Sequence, residues 1–153
     1  MKKKIITEVS EIESIIDKCE VCNVAMVDEN NMPYVLPFNF GYHDNCIYFH
    51  GTPTGKKIDT LKQNANVCIS FSTDHLLTFQ SESVACSFTM KFRSVIAYGK
   101  AVFIEDYDEK VAALDLIMLK YTNKKYSFAV PAVKNINIFK VKVDSWLGRE
   151  SGY

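Results

Sequence analysis

The chain has 153 residues, of which 48% are hydrophobic and 24% charged, and its 18 Lys and Arg balance 18 Asp and Glu to a formal net charge of zero. A domain of this length buries about 70% of the surface its unfolded chain would expose, so one core stands without disulfide or metal staples. Zero net charge excludes a global field that draws in nucleic acid or an anionic membrane, and the composition excludes a disordered or fibrous chain.

The opening Met1-Lys2-Lys3-Lys4-Ile5-Ile6 is basic and meets Glu8 and Glu11 before any apolar stretch of signal-peptide length develops. No run approaches membrane-spanning length. The five cysteines (Cys19, Cys22, Cys46, Cys68, Cys86) are odd in number and scattered, which predicts a reducing cytoplasm and no disulfides. Ser10-x-x-Glu13 reads as a capping box, and Ile12, Ile15, Ile16 and Cys19 follow at helical spacing, predicting a short amphipathic helix over residues 10–19. Residues 23–28 are β-prone, Glu29-Asn30-Asn31 is a turn, and residues 32–42 read as one strand despite Pro33 and Pro37. Two prolines leave two ladder positions without donors, so the strand is an edge, carries a bulge, or faces a ligand. His43-Asp44-Asn45 turns the chain back into a strand over 46–50.

Beyond Gly51-Thr52-Pro53-Thr54, the segment Gly55-Lys56-Lys57-Ile58-Asp59-Thr60-Leu61 predicts a helix with Thr54 as N-cap. Strands are expected over 66–72, 83–90 and 92–104, with Gly99 at a bulge or a close backbone approach. Asp106 opens a helix whose apolar face is Leu114, Ile117, Met118 and Tyr121. Ile136, Ile138, Val141 and Val143 belong to the last strand. Six or seven short strands with inserted helices make the chain mainly β, a closed or nearly closed antiparallel barrel in a single domain over 1–153.

Gly51-Thr52-Pro53-Thr54-Gly55-Lys56-Lys57 is one residue short of a P-loop and has Lys57 where the magnesium-binding hydroxyl should stand, which argues against nucleotide hydrolysis. What remains is a glycine-rich turn entering a helix with two lysines in its first turn. Cations there oppose the helix dipole unless an anion sits between them and the free N–H groups, and solvated surface lysines are the plainer alternative. Arg93 stands in an apolar strand and needs a partner, either a phosphate or a carboxylate such as Glu105 or Asp106. Ser94 beside it points to the opposite face. His50 ends its strand at the rim of the glycine turn, where it either caps the hairpin or presents a titratable ring to a ligand. Cys19-Glu20-Val21-Cys22 has metal-ligand spacing with no second pair to complete four ligands, and no Gly-x-Ser-x-Gly elbow supports a serine hydrolase.

Taken in order and spacing, Pro33-Tyr34-Val35-Leu36-Pro37-Phe38-Asn39-Phe40, Ile47-Tyr48-Phe49-His50-Gly51, Gly55-Lys56-Lys57 and Arg93-Ser94-Val95-Ile96-x-x-Gly99 resemble the pyridoxamine 5′-phosphate oxidase-like superfamily. Within it the chain is most similar to the nitroimidazole-resistance flavoproteins, from about residue 22 to 148. The resemblance implies a six-stranded antiparallel split barrel, a homodimer, and FMN in a cleft made by both subunits. It assigns the FMN phosphate to Lys56 and Lys57, with Arg93 and Ser94 on the phosphate or ribityl chain from the same or the partner subunit. It places the backbone of Pro37, Phe38, Asn39 and Phe40 along the isoalloxazine ring, His50 and Gly51 beside it with His50 positioning substrate or delivering a proton, and Trp146 as a cover. The sequence has no longer arginine-bearing tail of the kind with which pyridoxamine phosphate oxidases grip their substrate, so pyridoxal phosphate synthesis is not expected. The implied activity is FMN-dependent reduction of small electrophiles such as nitroimidazoles or other nitroaromatics. The alternative is a flavin or haem sensor or store without turnover, with His50 as a candidate iron ligand. Neither reading involves nucleic acid or a membrane.

Overall fold

The computed structural model describes residues 2–153. In chain order it comprises β1 (Lys3–Ile6), α1 (Val9–Lys18), β2 (Cys22–Val27), β3 (Pro33–Phe38), β4 (Gly41–His43), β5 (Cys46–Gly51), α2 (Lys56–Gln63), β6 (Asn66–Thr78), β7 (Thr89–Ile104), α3 (Tyr107–Thr122), α4 (Val130–Asn135) and β8 (Asn137–Ser151). Among the described residues no helix is long and apolar enough to cross a membrane.

The strands form one eight-stranded antiparallel sheet in the order β3-β2-β6-β7-β8-β5-β4, with β1 added on β8. β5 and β1 share one edge of β8, the first against residues 137–142 and the second against 148–151. The ends of the path, β3 and β4, are separated only by Asn39 and Phe40. The sheet therefore curls until its ends meet through the chain rather than through a ladder, which is what splits the barrel. The expected six strands become eight for two reasons. Residues 32–42 break in two because the Phe40 amide donates to the Tyr121 hydroxyl at 3.0 Å instead of to a neighbouring strand, and the basic opening segment is itself a strand.

Phe40, Phe49, Phe71 and Phe139 are fully buried in the barrel, together with Val24, Ile47, Ile69 and Val141. Phe49 and Phe139 stack at 4.9 Å, and Phe38 meets both edge-on at 5.3 and 5.9 Å. Ile12, Ile15 and Ile16 of α1 join the same core, while α3 and α4 enclose a second one built on Ile104, Leu114, Val133 and Ile138. The register of β7 on β8 shifts between Tyr98 and Gly99, as expected for that glycine. The Asp44-Asn45 hairpin turn has both central φ values positive, at 46° and 61°.

Several local expectations are corrected. α1 begins at Val9 with Glu8 at its N-cap and no side-chain cap; Glu13 instead accepts from the Tyr42 hydroxyl at 2.9 Å. The N-cap of α2 is Gly55, at φ 121°, while the Thr54 carbonyl accepts from the Thr52 hydroxyl at 2.8 Å. Residues 83–88 are not a strand, because Ser81 and Ser87 bond one another locally and the chain makes a 3-10 turn over Ala85–Ser87. Asp106 caps α3 by accepting from the Glu109 amide at 3.0 Å, as its acidic start predicts. α4 was not expected.

Candidate functional site

β5 delivers His50 and Gly51 to one end of the barrel, and α2 begins five residues later with Lys56 and Lys57. The first intrahelical acceptor is the Gly55 carbonyl, which takes the amides of Ile58 and Asp59, so the amides of Lys56 and Lys57 lie free at the positive end of the helix. The two lysines diverge. Lys56 is exposed, lies 4.7 Å over the Tyr34 ring and pairs with Asp28 at 3.4 Å. Lys57 is half-buried, with its ammonium 5.2 Å over the Phe38 ring and no ion pair among the described residues. Burial pushes its pKa below the ordinary lysine value. A half-buried cation without a carboxylate is the rarer arrangement, and it separates Lys57 from a solvated surface lysine.

Gly51 makes room for that ammonium: a Cβ at this position would stand 2.3 Å from Lys57 Nζ. The obstacle is the far end of a flexible side chain, so Gly51→Ala should displace the ammonium and leave the melting temperature within about 2 °C, a shift typical of small surface changes. Thermal denaturation, together with the affinity for FMN, checks this.

Across the ladder from Gly51 stands Asn137, and one alternate step inward on the two strands lies the Phe49–Phe139 pair. Opposed residues share a face, so Asn137 points to the same end of the barrel as Lys57. Its Oδ1 is buried without a hydrogen-bond partner. The sequence reading missed Asn137. The signal lay in the alternation Asn137-x-Phe139-x-Val141, which puts an amide where the inward face should hold another apolar side chain.

His50 is exposed on the opposite face, across from Ile138. Desolvation at the strand end, and then the like charge of Lys57, hold its imidazole below the ordinary value. Pro37 and Asn39 are exposed and Phe38 forms the floor under Lys57. Phe40 departs from its expected place. Its ring is fully buried beneath Lys120, 4.5 Å away, and its amide is used by Tyr121, so it has no free backbone donor for a ring system. Trp146 packs on Tyr42 and donates its indole N–H to Asn45 at 2.9 Å, at the other end of β5 from Gly51, so within one chain it covers no part of this end.

Arg93 is likewise corrected. It serves neither Glu105 nor Asp106: Nε donates to Glu150 at 2.7 Å, Nη1 donates to Asp74 at 2.8 Å, and the guanidinium stacks on Tyr153 at 4.1 Å. Lys18 also reaches Asp74 at 3.0 Å, so the fork is held by the fold itself. Arg93 pairs with Glu150 near one end of β8, whereas His50 pairs with Ile138 near the other, about 40 Å away along the strand at 3.3 Å per residue. The structure thus does not bring Arg93 and Ser94 together with Lys57 in one chain. The Arg93 bond, reinforced by Lys18, holds the Asp74 carboxyl below its ordinary value. A depressed folded pKa contributes stability that is present above the unfolded value and lost as pH falls through the folded one. Asp74→Asn should therefore lower stability at neutral pH and flatten its decline below about pH 4, read from urea midpoints across that range.

Cys19 and Cys22 are buried free thiols, and burial pushes Cys22 up to about 12.

The model of the pyridoxamine 5′-phosphate oxidase family matches residues 8–150. No curated protein matches the chain by sequence. Among solved structures, a candidate 5-nitroimidazole antibiotic resistance protein from Bacteroides thetaiotaomicron is 43% identical, superposes with a TM-score of 0.88, and is matched over 97% of this chain and 87% of its own. The FAD and haem binding protein from Mycobacterium smegmatis is 18% identical, with a TM-score of 0.84 over 98% of this chain and 74% of its own. The flavocytochrome Anf3 from Azotobacter vinelandii is 19% identical, with a TM-score of 0.81 over 97% of this chain and 70% of its own. These last two share the fold.

Proposed function

The chain belongs to the pyridoxamine 5′-phosphate oxidase family, and on that premise we propose that it is a homodimeric flavoprotein that binds FMN and reduces small electrophiles such as nitroimidazoles or other nitroaromatics. The observation that carries this reading is Lys57, a half-buried ammonium without a carboxylate at the amino end of α2. A helix amino terminus with free N–H groups and a fixed cation beside it suits a phosphate. The orphan Oδ1 of Asn137 on the same end accepts a hydroxyl or ring N–H, so the donor set fits a phosphate-bearing, hydroxyl-rich cofactor.

Within this reading Lys57 and the first amides of α2 hold the phosphate, and Asn137 fixes the neighbouring polar chain. Gly51 keeps the backbone low enough for the Lys57 ammonium to lie across it. Lys56, tied to Asp28, contributes charge at longer range. His50 orients a small acceptor through a hydrogen bond from its ring N–H. Bound FMN supplies reversible two-electron transfer. A second copy of the chain is supported by the β6–β7 hairpin, where Leu76, Leu77, Phe79, Phe88 and Met90 are all exposed and the strand pairing extends past the edge of β8. The substrate class is supported by the 43% identity to the Bacteroides protein.

The test is the visible spectrum of the purified protein, identification of the chromophore released on denaturation, and reoxidation of the reduced protein by nitroimidazoles under argon. Flavin bands, released FMN, one FMN per subunit of a sedimenting dimer, and reoxidation by a nitro compound are expected. A colourless protein that ignores added FMN overturns the cofactor, and intact FMN binding without reoxidation by any nitro compound overturns the substrate.

A further inference from the structure

At the end of the sheet remote from Lys57, β1, β8 and β7 lie side by side, with Lys3 and Phe92 both opposite Ser151, and Ile5 and Ser94 both opposite Arg149. Opposed and alternate residues share a face, so Lys3, Ile5, Phe92, Arg149 and Ser151 lie together on one side of the sheet. The other side carries the buried Ile6 and Val95. These five residues, with Lys4 and Glu150, line a cavity of about 410 Å³, within the range of small-molecule sites.

The charges at this cavity do not cancel. The Glu150 carboxylate is committed to Arg93 at 2.7 Å and the Lys4 ammonium to Glu11 at 2.9 Å. Arg149 and Lys3 are exposed and make no ion pair among the described residues. Ser151 is only 3% exposed and its Oγ has no hydrogen-bond partner. A buried hydroxyl left unpaired lowers stability unless something bonds it. Ile5 is 65% exposed beside Arg149, with Phe92 across β8 from it. Two unpaired cations, one orphan hydroxyl and two apolar walls make a coherent donor set around one space.

We propose that this face is a second ligand site, separate from the Lys57 end, for a small organic anion. Its phosphate or carboxylate is held by the Arg149 guanidinium and the Lys3 ammonium and completed by the Ser151 hydroxyl, while its apolar body lies against Ile5 and Phe92. The guanidinium matches a phosphate or carboxylate with two parallel N–H donors, which a lone surface lysine does not.

The experiment is a titration of the ¹⁵N-labelled protein with phenyl phosphate, with and without saturating FMN, alongside one with inorganic phosphate. Amide shifts at Ile5, Phe92, Arg149 and Ser151 are expected in both FMN conditions, with inorganic phosphate binding more weakly because it lacks the apolar body. Arg149→Ala should weaken phenyl phosphate, read at these amides with FMN bound, by about tenfold or more. Ser151→Ala should weaken it too while keeping or raising the melting temperature, which separates a ligand role from a folding role. The proposal is overturned if these amides do not shift, if Arg149→Ala binds as the parent does, or if loading with FMN abolishes the shifts. Because the titration is read without FMN as well, its failure is distinguishable from failure of the flavin reading.

Discussion

Lys57→Ala is expected to cost about 10- to 100-fold in FMN affinity while leaving the fold as stable as the parent, or slightly more so. The loss follows from removing a charge-assisted hydrogen bond, worth about 1.5 to 3 kcal/mol, from the phosphate. The unchanged stability follows from the same geometry: an ammonium desolvated against Phe38 without a carboxylate contributes little to the empty fold. Lys56→Ala should have the smaller effect on affinity, because its charge is already shared with Asp28 and it is exposed. The substitution also has a spectroscopic signature. Lys57 is the second cause, after desolvation, of the lowered His50 pKa, so its removal should move the His50 titration upward without fully restoring it. A histidine with a depressed folded pKa contributes stability above its unfolded value near 6.5 that is lost as pH falls. Lys57→Ala should therefore be the less acid-sensitive protein as pH falls below about 6.5. Flavin titration, thermal melts and NMR of the His50 ring check the three results, and an unchanged FMN affinity would remove Lys57 from the phosphate site.

The local pattern carried further than the long-range one. Alternation over 46–50 and 136–143 predicts two inward-facing rows, and both rows are buried as strands of one ladder. The glycine turn followed by two lysines is also visible in sequence, since every residue that makes it lies within the seven from Gly51 to Lys57. What spacing does not carry is register. Asp74 reaches Arg93 only because the β6–β7 ladder slips between Thr73 and Leu76 and Asp74 takes a positive φ of 54°. Glu150 reaches it only because β8 aligns with β7 at that step. Glu105 and Asp106, just past the end of the same strand, are therefore the natural expectation, and Asp106 is instead occupied as the α3 cap. Asn137 and Arg149 were passed over for the same reason. Each matters only through the residue opposite it, Gly51 in one case and Ile5 and Ser94 in the other. Phe40 shows a different limit. Its apolar character predicts burial correctly, but a tyrosine hydroxyl from α3 removes its amide from use, and that contact has no local sequence signal.

Gly99→Ala is expected to produce the opposite signature from Gly51→Ala. A Cβ at Gly99 would stand 2.5 Å from the Lys142 carbonyl oxygen and 2.7 Å from Val141 Cγ1. The backbone φ of Gly99 is not positive, so the constraint is space rather than handedness. A flexible lysine swings away at little cost, whereas a ladder carbonyl moves only if β7 and β8 part. They would have to part beside the register shift, where β8 is also bonded to β5. Overpacking of this kind costs about 1 to 3 kcal/mol even against side chains, and backbone atoms yield less. At about 2 to 4 °C per kcal/mol for a chain of this size, the melting temperature should fall by roughly 5 to 10 °C. Val141 lies within the barrel core two alternate steps along β8 from Asn137, so strain at Gly99 propagates toward the Lys57 end and FMN affinity should fall together with stability. A Gly99→Ala protein that melts with the parent would mean that β7 and β8 separate freely at their bulge. In that case the rigidity of β8 would not be what holds Asn137 at the barrel end.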